Sequence, residues 1–395
     1  MKLMSNVAIA SCATCIACLF PAVPLQAADS PWKEPQDTLT ALLDPDHYAW
    51  QLFVALNWPA ILEQKAPDPN KVLGADGPVV WETWRNARER APDTVFRLDG
   101  GDPGPWLTGT SPIVAREESQ FDRIPIKQQI FFSMRRRETQ RGPAPAFDEA
   151  VGGGNEVRMN QTTYDFIREN TLYNVEGQVA QFNAGKSNLN FPPNAKEVKA
   201  QWRKIKATDK PRYHWAEVTK ADGSKEIWGL TGLHVLTKDL PNWFWATFEH
   251  IDNKQEGPVE GGAPNTGWVT KSRDRFACDT ATPDCEQAPA DIGLQGTKWE
   301  NYRLRGTQTD FVDTTGAATI LANSQIERPF QTQSSCITCH SRSGIDAQGQ
   351  PNIFAVVTGA PSPDWFRDPT SGQRRIMQKD FVFSLDRASR VGGNR

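Results

Sequence analysis

The 395 residues carry 44 Lys and Arg against 47 Asp and Glu, a formal charge of −3, and the basic residues are scattered along the chain. That balance argues against a nucleic-acid binder, and the length allows one large or two ordinary domains with sizeable cores. Beyond the first twenty or so residues no apolar run reaches membrane-span length, so the mature chain is expected to have no membrane span.

Residues 1–27 read as a secretory signal peptide. Met1-Lys2 is a short positive start, Val7 to Phe20 is uncharged and apolar, Pro21 and Pro24 break the run, and small residues at Ala27 and Ala28 suit cleavage after Ala27. An uncleaved anchor is the competing reading. Ile9-Ala10-Ser11-Cys12 is similar to a lipobox, but the apolar stretch before Cys12 is short, so a lipid anchor there is not expected. Removal of Lys2 takes the charge to −4 and leaves a periplasmic or secreted protein.

The next element is a helix from Asp44-Pro45 through Leu56, with a side-chain cap, proline in the first turn, and a stop before Pro59. Pro67 to Pro112 reads as long loops around a short helix near Trp81–Arg90. Ile124 to Arg136 fits strand or helix equally. Arg135-Arg136-Arg137 is the densest basic cluster, a solvated patch or a docking point for an acidic redox partner. After Gly152-Gly153-Gly154, helices are expected over Thr162–Asn174 and Ala195–Trp202. Residues 28–210 thus form a helical, loop-rich region.

From residue 211 the pattern turns to period two. Arg212–Thr219 and Glu226–Leu236 flank Asp222-Gly223 as a hairpin, and a third strand is expected over Trp243–Ile251. In that strand Phe244, Ala246, Phe248 and His250 share one face, and Trp243, Trp245, Thr247 and Glu249 the other. Residues 252–298 form a long loop in which Cys278 and Cys285 should make a disulfide in an oxidising compartment, worth roughly 2–3 kcal/mol. A second hairpin, Thr309–Val312 with Ala317–Leu321, and a final strand at Asp380–Leu385 complete the reading. The class is α+β: a helical N-terminal half, a mainly antiparallel sheet over 211–395, and the two regions either separate or one unit.

Cys336-Ile337-Thr338-Cys339-His340 is the most specific motif in the chain. Two thiols one helical turn apart can add to the two vinyl groups of a porphyrin, and the imidazole that follows can bind its iron. Covalent haem c is therefore the expected cofactor, with His340 the proximal ligand. Zinc and thiol redox chemistry compete. Cys278 and Cys285 are too far apart to complete a short-spaced zinc site, and no βαβ pattern accompanies the CxxC. Only 55 residues follow His340, thin material for a self-contained cytochrome fold, so the haem is expected to be embedded partly in the preceding sheet. For the sixth iron position the candidates are His250, on an apolar strand face, or Met377, downstream in the polar context Arg374-Arg375-Ile376-Met377-Gln378-Lys379. His234 ranks after His250; His214 and His47 are weaker. The fourteen tryptophans are read as core, with a haem wall or a sugar-stacking platform as lesser roles.

Several phrases carry a family resemblance. They are Trp50-Gln51-Leu52-Phe53-Val54-Ala55-Leu56-Asn57-Trp58-Pro59, Trp243-Phe244-Trp245-Ala246-Thr247-Phe248-Glu249-His250, and Leu321-Ala322-Asn323-Ser324-Gln325-Ile326-Glu327 leading to Ser335-Cys336. With the CxxCH they resemble a large family of bacterial secreted proteins bearing one c-type haem, and the resemblance spans most of the mature chain. It implies a haem c protein of the cell envelope, carries over only Cys336, Cys339 and His340, and brings no defined substrate. The leading expectation is one-electron transfer with a redox partner protein or a small-molecule donor or acceptor. The alternatives are a haem enzyme, peroxidase-like or oxidising a small molecule, with an open sixth position, and a Trp-rich binding protein whose haem is structural or sensory.

Overall fold

An eight-stranded sheet organises the computed structural model, which describes residues 30–88, 91–106, 116–121, 153–254, 287–327, 331, 334–352 and 358–393. The expected signal peptide with Cys12, the segment 124–136, Arg135-Arg136-Arg137 and the Cys278–Cys285 pair lie outside the described residues. The strands are β1 (Arg85–Asn86), β2 (Arg116–Glu117), β3 (Gly153–Met159), β4 (Lys196–Lys204), β5 (Trp215–Thr219), β6 (Lys225–Thr237), β7 (Phe244–His250) and β8 (Tyr302–Gln308). Their order is β8-β7-β6-β4-β3-β1, with β5 pairing β6 and β2. Every pair is antiparallel except β2 with β5. Residues 31–395 form one compact unit, and strands from both sides of residue 210 share the sheet. The class is α+β.

The Asp222-Gly223 hairpin and the third strand form as the alternation requires: β5 and β6 meet at a turn with Gly223 at φ 81°, and β7 covers the Trp243–Ile251 reading within a residue at each end. Ala195–Trp202 is the main correction. It is not a helix but the long central strand β4, because Val198, Ala200 and Trp202 are fully buried on one face while Glu197, Lys199 and Gln201 take the other. Near Trp81 the chain makes a 3₁₀ turn, Val80–Thr83, and then enters β1 instead of continuing as helix.

The helix expected over Thr162–Asn174 stops at Glu169, as α2 (Gln161–Glu169), and α3 (Val175–Asn183) begins just beyond it. Asn174 caps α3 by accepting from Gly177 N at 2.8 Å. Position 177 has to be glycine, since a Cβ there would lie 1.8 Å from the Thr171 carbonyl oxygen. The second hairpin is reduced to a single bridge, Val312 to Ala318, and Asp380–Leu385 is a turn leading into the 3₁₀ segment Phe383–Arg387.

The two faces of the sheet differ in chemistry. Helix α1 (Pro45–Leu56), capped by Asp44 through His47 N at 3.2 Å, covers the apolar face. Phe53 and Trp50 meet Phe248 at 4.5 and 5.0 Å between ring centroids, and Tyr48 meets Phe244 at 5.1 Å. The opposite face presents Trp245, Thr247 and Glu249 from β7, with His234 and Leu236 beside them on β6 and Lys199 and Glu197 on β4. The C-terminal chain covers that side: Asn323 Nδ2 donates to Thr247 Oγ1 at 2.9 Å, and Ser324 N donates to Glu249 Oε1 at 2.6 Å. Among the described residues no helix is long and apolar enough to cross a membrane.

Candidate functional site

The CxxCH segment is a six-residue helix, α4 (Cys336–Ser341), too short to persist alone and therefore tied down at several points. Ser335 caps it by accepting from Thr338 N at 3.4 Å. Gln308, at the end of β8, reaches it with both ends of its amide: Oε1 accepts from Ile337 N at 3.2 Å and Nε2 donates to Ser335 Oγ at 3.1 Å. Thr338 Oγ1 donates to Gly359 O at 2.8 Å. Cys336 and Cys339 are thiols, one turn apart and almost wholly buried.

His340 follows them, with Nδ1 2.7 Å from the Phe381 carbonyl oxygen. A carbonyl can only accept, so Nδ1 carries the proton and Nε2 is the basic nitrogen of the neutral ring. The ring is flanked by Trp245 at 4.6 Å and Phe383 at 5.1 Å between centroids.

The returning tail creates this arrangement. Strand β9 (Gly344–Ile345), just after α4, pairs with β10 (Met377–Gln378), and Lys379 N donates to Ser343 O at 2.9 Å. Asp380 and Phe381 then adopt φ of 46° and 71°, a left-handed conformation costing a non-glycine residue roughly 1–2 kcal/mol. Asp380 is held in it from three sides: its carboxylate accepts from Lys238 Nζ at 2.7 Å and Phe191 N at 2.8 Å, and its N–H donates to Asn188 Oδ1 at 2.9 Å. The strained pair aims the Phe381 carbonyl at the imidazole.

His340 opens on a cleft of about 490 Å³, counting its mouth, between the polar sheet face and the tail. Val157, Leu236 and Phe383 give it apolar walls, and Glu197, Lys199, His234, Ser384 and Arg387 supply polar groups. Glu197 is 4% exposed, and Ser384 Oγ donates to its Oε1 at 2.5 Å. Burial pushes the Glu197 carboxyl up to about 7, only partly opposed by the Ser384 hydrogen bond and the Arg387 charge. His234 Nε2 lies 3.3 Å from Glu327 Oε1.

No protein family, no curated protein and no solved structure matches this chain. The chemistry of the site is therefore read from its own residues. Among those described, no three His, Cys, Asp or Glu side chains converge as a cation-binding group.

The structure brings Cys336, Cys339 and His340 together. It does not bring His250 to them. His250 lies on the face covered by α1, five positions along β7 from Trp245, or about 17 Å. There it stacks on Tyr213 at 3.6 Å, its Nδ1 accepts from Asp252 N at 3.2 Å, and its Nε2 donates to Arg212 O at 3.1 Å. Met377 is fully buried in the apolar core, opposite Ile345 in the β9–β10 pair. His214 lies 3.1 Å from Glu82 and stacks on Trp299, and His47 reaches Asp291 at the surface. Of the four other histidines only His234 lines the cleft of His340.

Glu197, Lys199 and Arg387 were missed in the sequence. Reading 195–202 as helix scattered Glu197 and Lys199 around an axis, whereas the alternation of Val198, Ala200 and Trp202 with polar residues was the signal that sets them on one strand face.

The raised Glu197 carboxyl has a consequence for stability. The folded state holds this proton above the ordinary value of 4.5, so between pH 4.5 and about 7 the native chain binds more protons than the unfolded one. Stability contributed by protonated Glu197 is complete below 4.5 and is lost as pH rises through 7, by up to about 3 kcal/mol. Urea denaturation at a series of pH values should show this fall in the wild type and not in Glu197→Gln. Parallel curves for the two proteins would refute the assignment.

Proposed function

We propose that this chain is a c-type haem protein of the bacterial cell envelope, exported by its N-terminal segment. Its haem is joined through thioethers at Cys336 and Cys339, and His340 is the proximal ligand. One observation carries the reading: the imidazole directly after the CxxC donates Nδ1–H to a backbone carbonyl, the second-sphere arrangement that orients an iron-bound histidine and strengthens its Nε2. Bound haem would supply an iron that exchanges single electrons or takes a small ligand. The chain supplies the rest. Gln308, Ser335 and Gly359 fix the helix bearing the thiols, Phe381 sets the tautomer, and Trp245 and Phe383 flank the imidazole.

The primary role proposed is one-electron transfer with a redox partner protein or a small-molecule donor or acceptor. The burial of His340 at 7% exposure supports it, because a dry, rigid surrounding limits reorganisation when the charge changes. A specific observation favours a second reading, a haem enzyme with an open sixth position. The cleft holds a buried carboxyl and an imidazole, Glu197 and His234, the groups that acid–base chemistry on a bound small molecule would use. Optical spectra divide the two. An electron carrier should give low-spin spectra in both iron states and no rapid CO binding when reduced; a high-spin ferric spectrum with fast CO binding would transfer the assignment to the enzyme.

A further inference from the structure

The cleft holds a buried carboxyl that simple haem attachment does not require. Glu197 projects from β4 into the cavity that His340 lines, and it is connected to the ligand's surroundings through the tail. Phe383 packs edge-on against His340, and the next residue, Ser384, donates its hydroxyl to Glu197. We propose that Glu197 is a proton-binding site coupled to electron transfer: when an external one-electron donor reduces the ferric iron that bound haem would supply to ferrous, one solvated proton would enter the Glu197 carboxylate, and proton and electron would both leave on reoxidation. This rests on the proposed haem ligation by His340, which lines the same cleft.

The physical reason is local charge. An electron added to a site shielded from water lowers the potential around it, and a neighbouring carboxylate is then stabilised by taking a proton. Glu197 is poised for that change, since burial favours its neutral form while Arg387 favours the ionised one. Among the described residues, the other charged or titratable groups lining this cavity are Lys199 from β4, His234 from β6 and His340 from α4, and His234 pairs with Glu327 at 3.3 Å. Lys379 and Asp386 on the tail pair with each other at 2.6 Å. Strand β3 sets the apolar Met159 opposite Glu197 and Val157 opposite Lys199, so among the described residues that strand adds no charge on this face. Lys196, on the other face of β4, pairs with Glu34 and Asp239.

Spectroelectrochemical titration of the haem-bearing protein from about pH 5 to about 9 tests the coupling, a range spanning the ordinary and raised carboxyl values. The midpoint potential should fall by about 59 mV per pH unit over part of that range, one proton per electron. Glu197→Gln should flatten the slope, and His234→Gln should keep it. In redox-difference infrared spectra of the wild type, a protonated-carboxyl band should grow on reduction; it should be absent from Glu197→Gln and shifted in Glu197→Asp. A flat wild-type profile with haem bound, or a slope that survives Glu197→Gln, overturns the coupling and leaves the haem reading standing. Purified protein whose mass shows no haem overturns both.

Discussion

Cys336→Ala combined with Cys339→Ala should yield exported protein with no haem left after acid–acetone extraction, against full retention in the wild type. Both thiols lie on α4, buried at 5% and 6% exposure, with Cys336 Sγ 3.6 Å from the Leu321 carbonyl. Alanine at both sites removes the two motif sulfurs beside His340, so any haem that still binds there is held by coordination and packing alone, and acid disrupts coordination. The single changes should each leave one thioether and an altered optical spectrum. Cys278→Ala is the contrasting control: loss of the expected disulfide should leave haem content intact and lower stability by roughly 2–3 kcal/mol. Haem that resists extraction in the double-alanine protein would show that attachment lies elsewhere.

Trp245→Ala should cost about 3–5 kcal/mol of folding stability, the range for emptying a large buried aromatic site. The indole is 2% exposed, donates Nε1–H to Asn242 O at 3.0 Å, and forms the sheet-side wall of His340 while also meeting Phe381 at 5.9 Å. Its loss removes core volume and the contact that holds both the imidazole and the segment supplying its carbonyl acceptor. Trp245→Phe keeps a ring against His340 and gives up the hydrogen bond, so its cost should be nearer 1 kcal/mol plus the smaller volume change. Denaturant titrations of the three haem-bearing proteins measure this directly. A loss below 1 kcal/mol for Trp245→Ala would mean that β7 does not support the site.

The motif, the hairpin and the third strand were readable because each rests on local chemistry. Asp222-Gly223 permits the tight turn, residues 243–251 alternate, and the thiol spacing fits a helical turn. What the sequence did not yield depends on long-range facts. His250 was favoured as a partner of His340 because it shares a strand face with Phe248, yet that is the face α1 covers, and the CxxCH helix lies on the side of Trp245. Periodicity sorts residues into two faces and cannot say which face a distant segment will cover. The Phe381 carbonyl that orients His340 comes from 41 residues downstream, through two residues at positive φ that no propensity indicates. Glu197 was hidden for a different reason: a short run rich in Lys, Ala and Gln has helix propensity, and its burial between β3 and β6 overrides that preference.

Every redox role proposed for this protein depends on porphyrin being bonded to the polypeptide at residues 336 and 339. Mass spectrometry of the proteolytic peptide spanning Ser335 to Ser341, taken from protein exported by a host with c-type haem maturation, tests it most directly. This peptide should carry the added mass of one haem on its two cysteines. The same peptide recovered with both thiols unmodified would contradict it.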